Sequence, residues 1–236
     1  MRVRVNIIRH TVSLISVALV ARSSPLDIVE GWFSSRGWRP WEFQRRAWKA
    51  YLERRSGLIQ VATGAGKTYA AYLGPLAELI AEQRAAPTRS GLSILYITPL
   101  RAVSRDIELA LKAPVAELCP GLLVESRTGD TKQSLRTKQR ERLPHVLVTT
   151  PESLTLLLTR ENAAEQLSGI RCAIIDEWHE LLSTKRGTQT ELALARLRGK
   201  ELYHHTAALF LNYGNFAGGS ILELWDATAL CSVIVS

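Results

Sequence analysis

The chain has 236 residues, enough to bury a substantial core as one large domain or two small ones. Thirty Lys and Arg against 22 Asp and Glu give a net charge of +8 and a sequence pI of about 9.7, a balance that points towards a polyanionic partner. The three cysteines, Cys119, Cys172 and Cys231, are far apart, odd in number and form no C-x-x-C. They suggest neither a disulfide framework nor a zinc site, and a reducing compartment follows. Cys172 falls in an apolar strand pattern and reads as core.

The first 26 residues carry Arg2, Arg4, Arg9 and Arg22 and no acid. Their apolar run, Thr11 to Ala21, is too short to span a bilayer. A basic start followed by an apolar middle is the pattern of a signal or transit peptide. The alternative, which we prefer given the nucleotide motif described below, is a poorly ordered or wrongly extended N-terminus. No later segment is apolar enough for a membrane.

From Leu26 to Arg55 the chain is helical and aromatic-rich, with Trp32, Phe33, Trp38, Trp41, Phe43 and Trp48. At roughly helical spacing such a cluster reads as core. Pro40 marks a turn, after which WEFQRRAWKAYLERR forms a helix with Phe43, Ala47, Ala50 and Tyr51 on one face.

The stretch Gly57 to Ile80, GLIQVATGAGKTYAAYLGPLAELI, organises the rest. A short apolar strand breaks into a Gly-rich turn, and a helical pattern begins at Lys67. Gly64 and Gly66 allow the backbone to curl so that its N–H groups point inward, towards the positive end of the following helix dipole. In such a phosphate cradle Lys67 reaches the β- and γ-phosphates of a nucleotide, and the Thr68 hydroxyl holds the bridging Mg²⁺. Val61 stands where the strict G-x-x-x-x-G-K-[ST] pattern begins with glycine.

Beyond it, strands alternate with helices. Leu92–Thr98, Leu122–Thr128, His145–Thr150 and Arg171–Glu177 read as strands, and helices follow Pro99, Lys132 and Pro151. Nearly all-apolar strands joined by helices predict an α/β fold, a mostly parallel sheet flanked by helices on both faces. Ligands of such sheets bind at the carboxyl ends of the strands.

The functional candidates lie at those ends. Thr98-Pro99 and Thr150-Pro151 each read as an N-cap threonine before a proline at the first helical position, exposing a helix N-terminus suited to phosphate. Arg101 and Arg105 add charge beside the first, and Thr128-Gly129-Asp130-Thr131 supplies a turn with free N–H donors. Several anion-ready junctions besides the nucleotide loop fit a nucleic-acid backbone. The basic helix Lys132–Arg142 either extends that path or is a solvated face. The fifth strand delivers Asp176-Glu177 to the same edge, where Asp176 binds Mg²⁺ through its water shell and Glu177 orients and deprotonates the attacking water.

At these residues the chain resembles superfamily 2 helicases of the DExH class, and more narrowly the large helicase-related (Lhr) family in its ligase-associated form. The matching stretches are RGWRPWEFQRRAW, ATGAGKT, ITPLRAVSRD, RTGD, TTPESLTLLLT and DEWHELLSTKRGTQTELALARLR. The resemblance implies a RecA-like P-loop lobe that uses ATP and Mg²⁺. Its ATP-binding residues would be Gln44, which reads the adenine, Thr63, Gly64, Ala65, Gly66, Lys67 and Thr68. Lys67, Asp176, Glu177 and His179 would be catalytic, with Thr68 and Asp176 on the metal and His179 coupling the nucleotide site to neighbouring motifs. Thr98, Pro99, Arg101, Thr128, Gly129, Thr150 and Pro151 would line the nucleic-acid edge. Implied partners are DNA, single-stranded or at a duplex junction, with RNA as an alternative, and DNA-repair proteins such as a ligase or nuclease. The implied location is cytoplasmic.

The family continues past Arg198 into a strand ending in Ser-Ala-Thr and a second lobe with arginine fingers. Neither is legible in residues 199–236, and Asp226-Ala227-Thr228 is no convincing substitute. The sequence therefore divides into an extension (1–26), an ATP-binding lobe (27–198) and an atypical tail (199–236) that reads as foreign or frame-shifted sequence after a truncated lobe. Such a lobe is expected to bind ATP weakly, hydrolyse it slowly and not unwind DNA. Two other readings stay open: a nucleotide or nucleic-acid binding module without turnover, and an unrelated phosphate-loop phosphotransferase, which would show turnover dependent on a small acceptor.

Overall fold

A computed structural model describes residues 24–62, 64–86, 91–181, 184–199, 207–212 and 233–235. Helix α1 (Pro25–Ser35) starts in a capping box in which Ser24 and Asp27 satisfy each other's backbone N–H groups, with Pro25 at the first helical position. Helix α2 (Glu42–Leu52) follows, then strand β1 (Gly57–Gln60) and the long helix α3 (Lys67–Ala85). The alternation continues through β2 (Ile94–Ile97), α4 (Arg101–Leu118), β3 (Val124–Arg127), α5 (Gln133–Glu141), β4 (Val146–Thr149), α6 (Pro151–Leu158), α7 (Ala163–Leu167) and β5 (Cys172–Ile175). Helices α8 (Trp178–Leu181) and α9 (Lys185–Gly199) precede β6 (Ala207–Asn212) and β7 (Val233–Val235).

The strands form one sheet of order β3-β4-β2-β5-β6-β1-β7, and every pairing is parallel. Strands β2, β4 and β5 are buried at all four positions because both faces are covered. Alternate residues serve different layers. Ile94, Tyr96, Val146, Val148, Cys172, Ile174 and Leu211 pack with Trp32, Trp48, Leu73, Ile107 and Leu111 of helices α1 to α4. Leu95, Ile97, Leu147, Ala173, Ile175 and Phe210 pack with Leu154, Leu167, Trp178 and Leu194 of helices α6 to α9. Helix α3 passes so near α2 that a Cβ on Gly74 would lie 3.1 Å from Trp48 Cα. Only glycine permits that approach without displacing the backbone.

Three sequence expectations change. Trp32, Phe33 and Trp48 are buried as read, but Trp38 and Trp41 are 48% and 67% exposed, since both precede the turn of α2 whose inward face begins at Gln44. Helix α4 begins at Arg101 with Leu100 as its cap residue, so Thr98-Pro99 is not the cap and first turn of that helix. Thr98 is fully buried, and its hydroxyl accepts from the Leu100 N–H at 3.4 Å inside an extra turn.

The third change concerns the segment after Arg198. Residues 207–212 form an interior strand, pairing with β5 on one side and β1 on the other. The run AALFLN has the short apolar character of a buried strand, and the Phe210 ring meets Trp178 edge-on with centroids 5.1 Å apart. Asp226, Ala227 and Thr228 lie outside the described residues, as do residues 1–23. Phe210→Ala should cost about 3–5 kcal/mol, the usual loss for truncating a buried aromatic, in urea unfolding. A loss below about 1 kcal/mol would place residues 207–212 outside the sheet.

Candidate nucleotide and nucleic-acid site

The turn between β1 and α3 is built as its glycines require. Gly64 and Gly66 have φ of +79° and +86°, a region that costs other L-residues roughly 1–2 kcal/mol. At Gly66 space is also short, because a Cβ would lie 2.8 Å from Gln44 Nε2. That amide nitrogen donates to the Gly66 carbonyl at 3.1 Å, while Gln44 Oε1 accepts from the Trp41 N–H at 2.9 Å. Gln44 is thus tied by both ends of its amide to the start of α2 and to the glycine turn. Among the ATP-binding candidates Thr63 lies outside the described residues. The Ala65 N–H closes the turn onto the Ala62 carbonyl at 3.3 Å, and Thr68 is half-buried in the first turn of α3.

Lys67 is 5% exposed, its ammonium donating to the carbonyls of Val61 (2.6 Å) and Ala62 (3.2 Å). Burial pushes its pKa down, and the carboxylates of Glu177 and Asp176 pull it back up. The charge therefore lies in one field with the acid pair at the end of β5. Lys67, opening the helix that follows β1, and the acid pair at the end of β5 come into one field because β1 and β5 flank the same strand, β6, and all run parallel.

Asp176 continues β5 by one backbone bond, its N–H donating to the Ile97 carbonyl at 2.8 Å. Its side chain is nearly buried. Oδ2 accepts from the Tyr96 hydroxyl at 2.7 Å, and Oδ1 accepts from the Glu177 N–H at 3.0 Å. Burial raises the carboxyl pKa, opposed by those two donors and by electrostatic interaction with Lys67 and His179. Glu177 has φ of +48°, a left-handed conformation that a non-glycine residue adopts at a cost. Its Oε2 lies 3.5 Å from His179 Nδ1, and His179 Nε2 lies 3.3 Å from Glu180 Oε1.

Sequence reasoning passed over Tyr96. A tyrosine within an otherwise aliphatic buried strand needs a partner for its hydroxyl, and that was the available signal. In the register Tyr96 faces Ile174, two residues before Asp176 and of the same parity.

The nucleic-acid candidates divide by exposure. Thr150 caps α6 as expected, accepting from the Ser153 N–H at 3.4 Å, with Pro151 in the first turn. Thr98, Pro99, Thr128, Thr150 and Pro151 are all buried, whereas Arg101 and Gly129 face outward. The expected free donors of the 128–131 turn are largely used within it. The Thr128 N–H goes to Thr131 Oγ1 (2.9 Å) and the Asp130 N–H to Thr128 Oγ1 (3.3 Å), while the Thr131 N–H goes to the Thr128 carbonyl (3.3 Å). Short hydroxylated side chains close such turns readily. What faces outward is the Arg101 guanidinium lying on Gly129, where a Cβ would come within 2.9 Å of it.

Tyr96→Phe should lower stability by about 1–3 kcal/mol by leaving a buried carboxylate short of one donor. Because that donor favours the ionised form, its loss should move the Asp176 titration to higher pH. Carboxyl chemical shifts followed by NMR would check the sign, and an unmoved Asp176 would refute the coupling.

The sequence model of the DEAD/DEAH box helicase family matches residues 41–211. The Lhr helicase/probable uracil glycosylase of Mycolicibacterium smegmatis is 37% identical over 176 residues, covering 70% of this chain and 12% of that protein. The ATP-dependent helicase Lhr-Core of Methanocaldococcus jannaschii is 38% identical over 164 residues, covering 65% and 19%. The chain therefore spans less than a quarter of the length of either relative. The structure of Mycobacterium smegmatis helicase Lhr bound to ssDNA and AMP-PNP superposes with a TM-score of 0.75 at 31% identity, over 90% of this chain and 28% of that one. The DEAD-box helicase Mss116 bound to ssRNA and UDP-BeF, at 18% identity and a TM-score of 0.66, shares the fold. With the phosphate loop, the strand-end acid pair and the RecA-like sheet in place, this chain belongs to the DEAD/DEAH box helicase family.

Proposed function

We propose that this lobe binds ATP with Mg²⁺ between the glycine turn and the Asp176-Glu177 pair, hydrolyses it slowly when alone, and binds a nucleic-acid strand along the adjoining sheet edge. The observation that carries the reading is the mutual field of Lys67, Asp176 and Glu177 at one end of the sheet. Support also comes from the mycobacterial relative, whose structure contains ssDNA and AMP-PNP. Family membership disfavours an unrelated phosphotransferase.

Each residue then has a task set by its surroundings. Backbone N–H groups of the turn and the first turn of α3 face a β-phosphate. Lys67 leaves the Val61 and Ala62 carbonyls, or shares them, to meet the outer phosphates. Thr68 and Asp176 offer hard oxygens, and among the described residues no cluster of three His, Cys, Asp or Glu could hold a metal. That sparse donor set fits Mg²⁺, which keeps several waters and takes its remaining ligands from phosphates. Bound there, the ion would neutralise charge that develops on the phosphoryl oxygens. Glu177 holds and deprotonates the attacking water, with His179 beside its carboxylate. Gln44 fixes the turn through Gly66 and, in this reading, presents its amide to the adenine once nucleotide arrives. Arg101 and Gly129 meet the strand directly, and the buried threonines and prolines shape the edge beneath them.

Lys67→Ala should abolish nucleotide affinity while leaving the fold intact, and unchanged ATP binding by calorimetry would remove the central assignment. Glu177→Gln should keep nucleotide binding and reduce turnover by about 10²–10⁴-fold, the usual share of a general base. Equal turnover in both proteins would rule out that role.

A further inference from the structure

Beyond the turn at Gly129 the edge opens into a cleft of about 720 Å³ whose walls include Arg127, Arg136, Arg140 and Arg160. Arg127 ends β3. Arg136 and Arg140 stand one helical turn apart on α5, hence on one face of it, and Arg160 follows α6. The lining contains a single acid, Glu161. Among the described residues no carboxylate forms an ion pair with any of the four arginines.

Neutral acceptors hold the guanidinium groups instead. The fully buried Gln139 accepts from Arg127 through Oε1 at 3.3 Å and from Arg160 through its backbone carbonyl at 3.3 Å. Its own amide nitrogen is anchored on Glu125 (2.9 Å) and on the Ser126 carbonyl (3.3 Å). Arg136 donates to the carbonyls of Thr128, at 2.8 Å, and Gly129, and its Nε is buried with no protein acceptor. The fold therefore fixes Arg127, Arg136 and Arg160 through neutral acceptors, and the exposed Arg140 adds its charge beside them. The electrostatic consequence is visible at Arg127, whose pKa is pushed down to about 10 by burial and by Arg160, Arg136 and Arg140. Arg160 is likewise lowered by burial and by Arg140. Four like charges gathered without counter-ions form a receptor for a polyanion.

Position identifies the polyanion. Arg136 donates to the carbonyls of Thr128 and Gly129, and the Arg101 guanidinium lies against the same Gly129, so the cleft adjoins the turn that Arg101 covers. A single phosphate would engage one end of that surface. A chain of phosphodiesters engages all of it, through interactions indifferent to base sequence.

We propose that the cleft formed by Arg127, Arg136, Arg140 and Arg160 is a second backbone-binding station for a nucleic-acid strand, continuing the track that begins at Arg101 and Gly129. The inference rests on the nucleic-acid part of the proposed function and extends it past the helicase-like motifs to the outer edge of the lobe.

The test uses the full 236-residue chain and a fluorescent dT20 oligonucleotide titrated across a salt series, with nucleotide affinity measured in parallel. Arg140 is exposed, so Arg140→Glu is the variant least able to disturb folding. Arg140→Gln combined with Arg160→Gln removes two cations. The double variant should weaken dT20 binding about tenfold at low salt and flatten the dependence of log K on log salt by roughly 0.7 for each phosphate no longer neutralised. Nucleotide affinity should not change. Arg101→Gln serves as the reference for the first station. If Arg101→Gln weakens dT20 binding while both cleft variants bind with wild-type affinity and salt slope, the second station is refuted and the functional reading survives. If wild type fails to bind dT20 at all, both fail together. If millimolar tripolyphosphate binds with the same dependence on Arg140 and dT20 does not displace it, the cleft serves a small anion and the proposal is overturned.

Discussion

Strands β2 and β5 lie side by side in a register that sets Tyr96 against Ile174, and the candidate nucleotide site depends on that pairing. Because side chains alternate along a strand, Tyr96 and Ile174 both point towards the layer of helices α1 to α4, and Asp176 shares their parity. The helix carrying Lys67 belongs to the same layer. A one-residue slip between the strands would send Tyr96 to the opposite layer and leave a buried carboxylate without its donor. The position of the acid is thus fixed by the core as much as by the site.

The same constraint sets up opposed electrostatic demands. Asp176 is buried deeply enough that its ionised form is disfavoured, yet two donors and the neighbouring Lys67 and His179 side chains are arranged to favour it. Lys67 stands in the mirror position, disfavoured by burial and supported by the two carboxylates. Each charge makes the other tolerable, and a dianionic metal–nucleotide would enter a site already arranged around balanced fields. Glu177, in its left-handed conformation, contributes backbone strain where chemistry is assigned, a common location for it.

Much of this was legible in the residues. GAGKT after an apolar run located the turn, since glycines accept the φ values found there without the steric cost other residues bear. Asp176-Glu177 at the end of an all-apolar run located the acid pair, and the parallel sheet followed from uninterrupted apolar strands. What escaped notice depended on packing between distant segments. The extra turn at Pro99-Leu100 is set by burial of Thr98, which local capping rules cannot see. Trp38 and Trp41 share the composition of the core but lie ahead of the inward face of α2. Arg136 and Arg140 were legible as a basic helix, either an extension of the nucleic-acid path or a solvated face, and that choice stayed open because their neighbours Arg127 and Arg160 come from other elements. Residues 207–212 lacked the expected motif and so looked alien, although their apolar run is all that a place in the sheet requires.

That last strand bears on how the molecule is made. Gly57 sits beside Leu209 in the register, so the strand bearing the glycine turn has no sheet neighbour until synthesis is nearly through the stretch described. The strands β2 to β5 pair among themselves and can consolidate on the emerging polypeptide. β1 must wait for closure of a very long loop, a slow step for non-local parallel pairing. Within the described residues, the strand leading into the glycine turn is thus the one whose pairing joins the most distant stretches of sequence, and the candidate nucleotide pocket inherits that dependence.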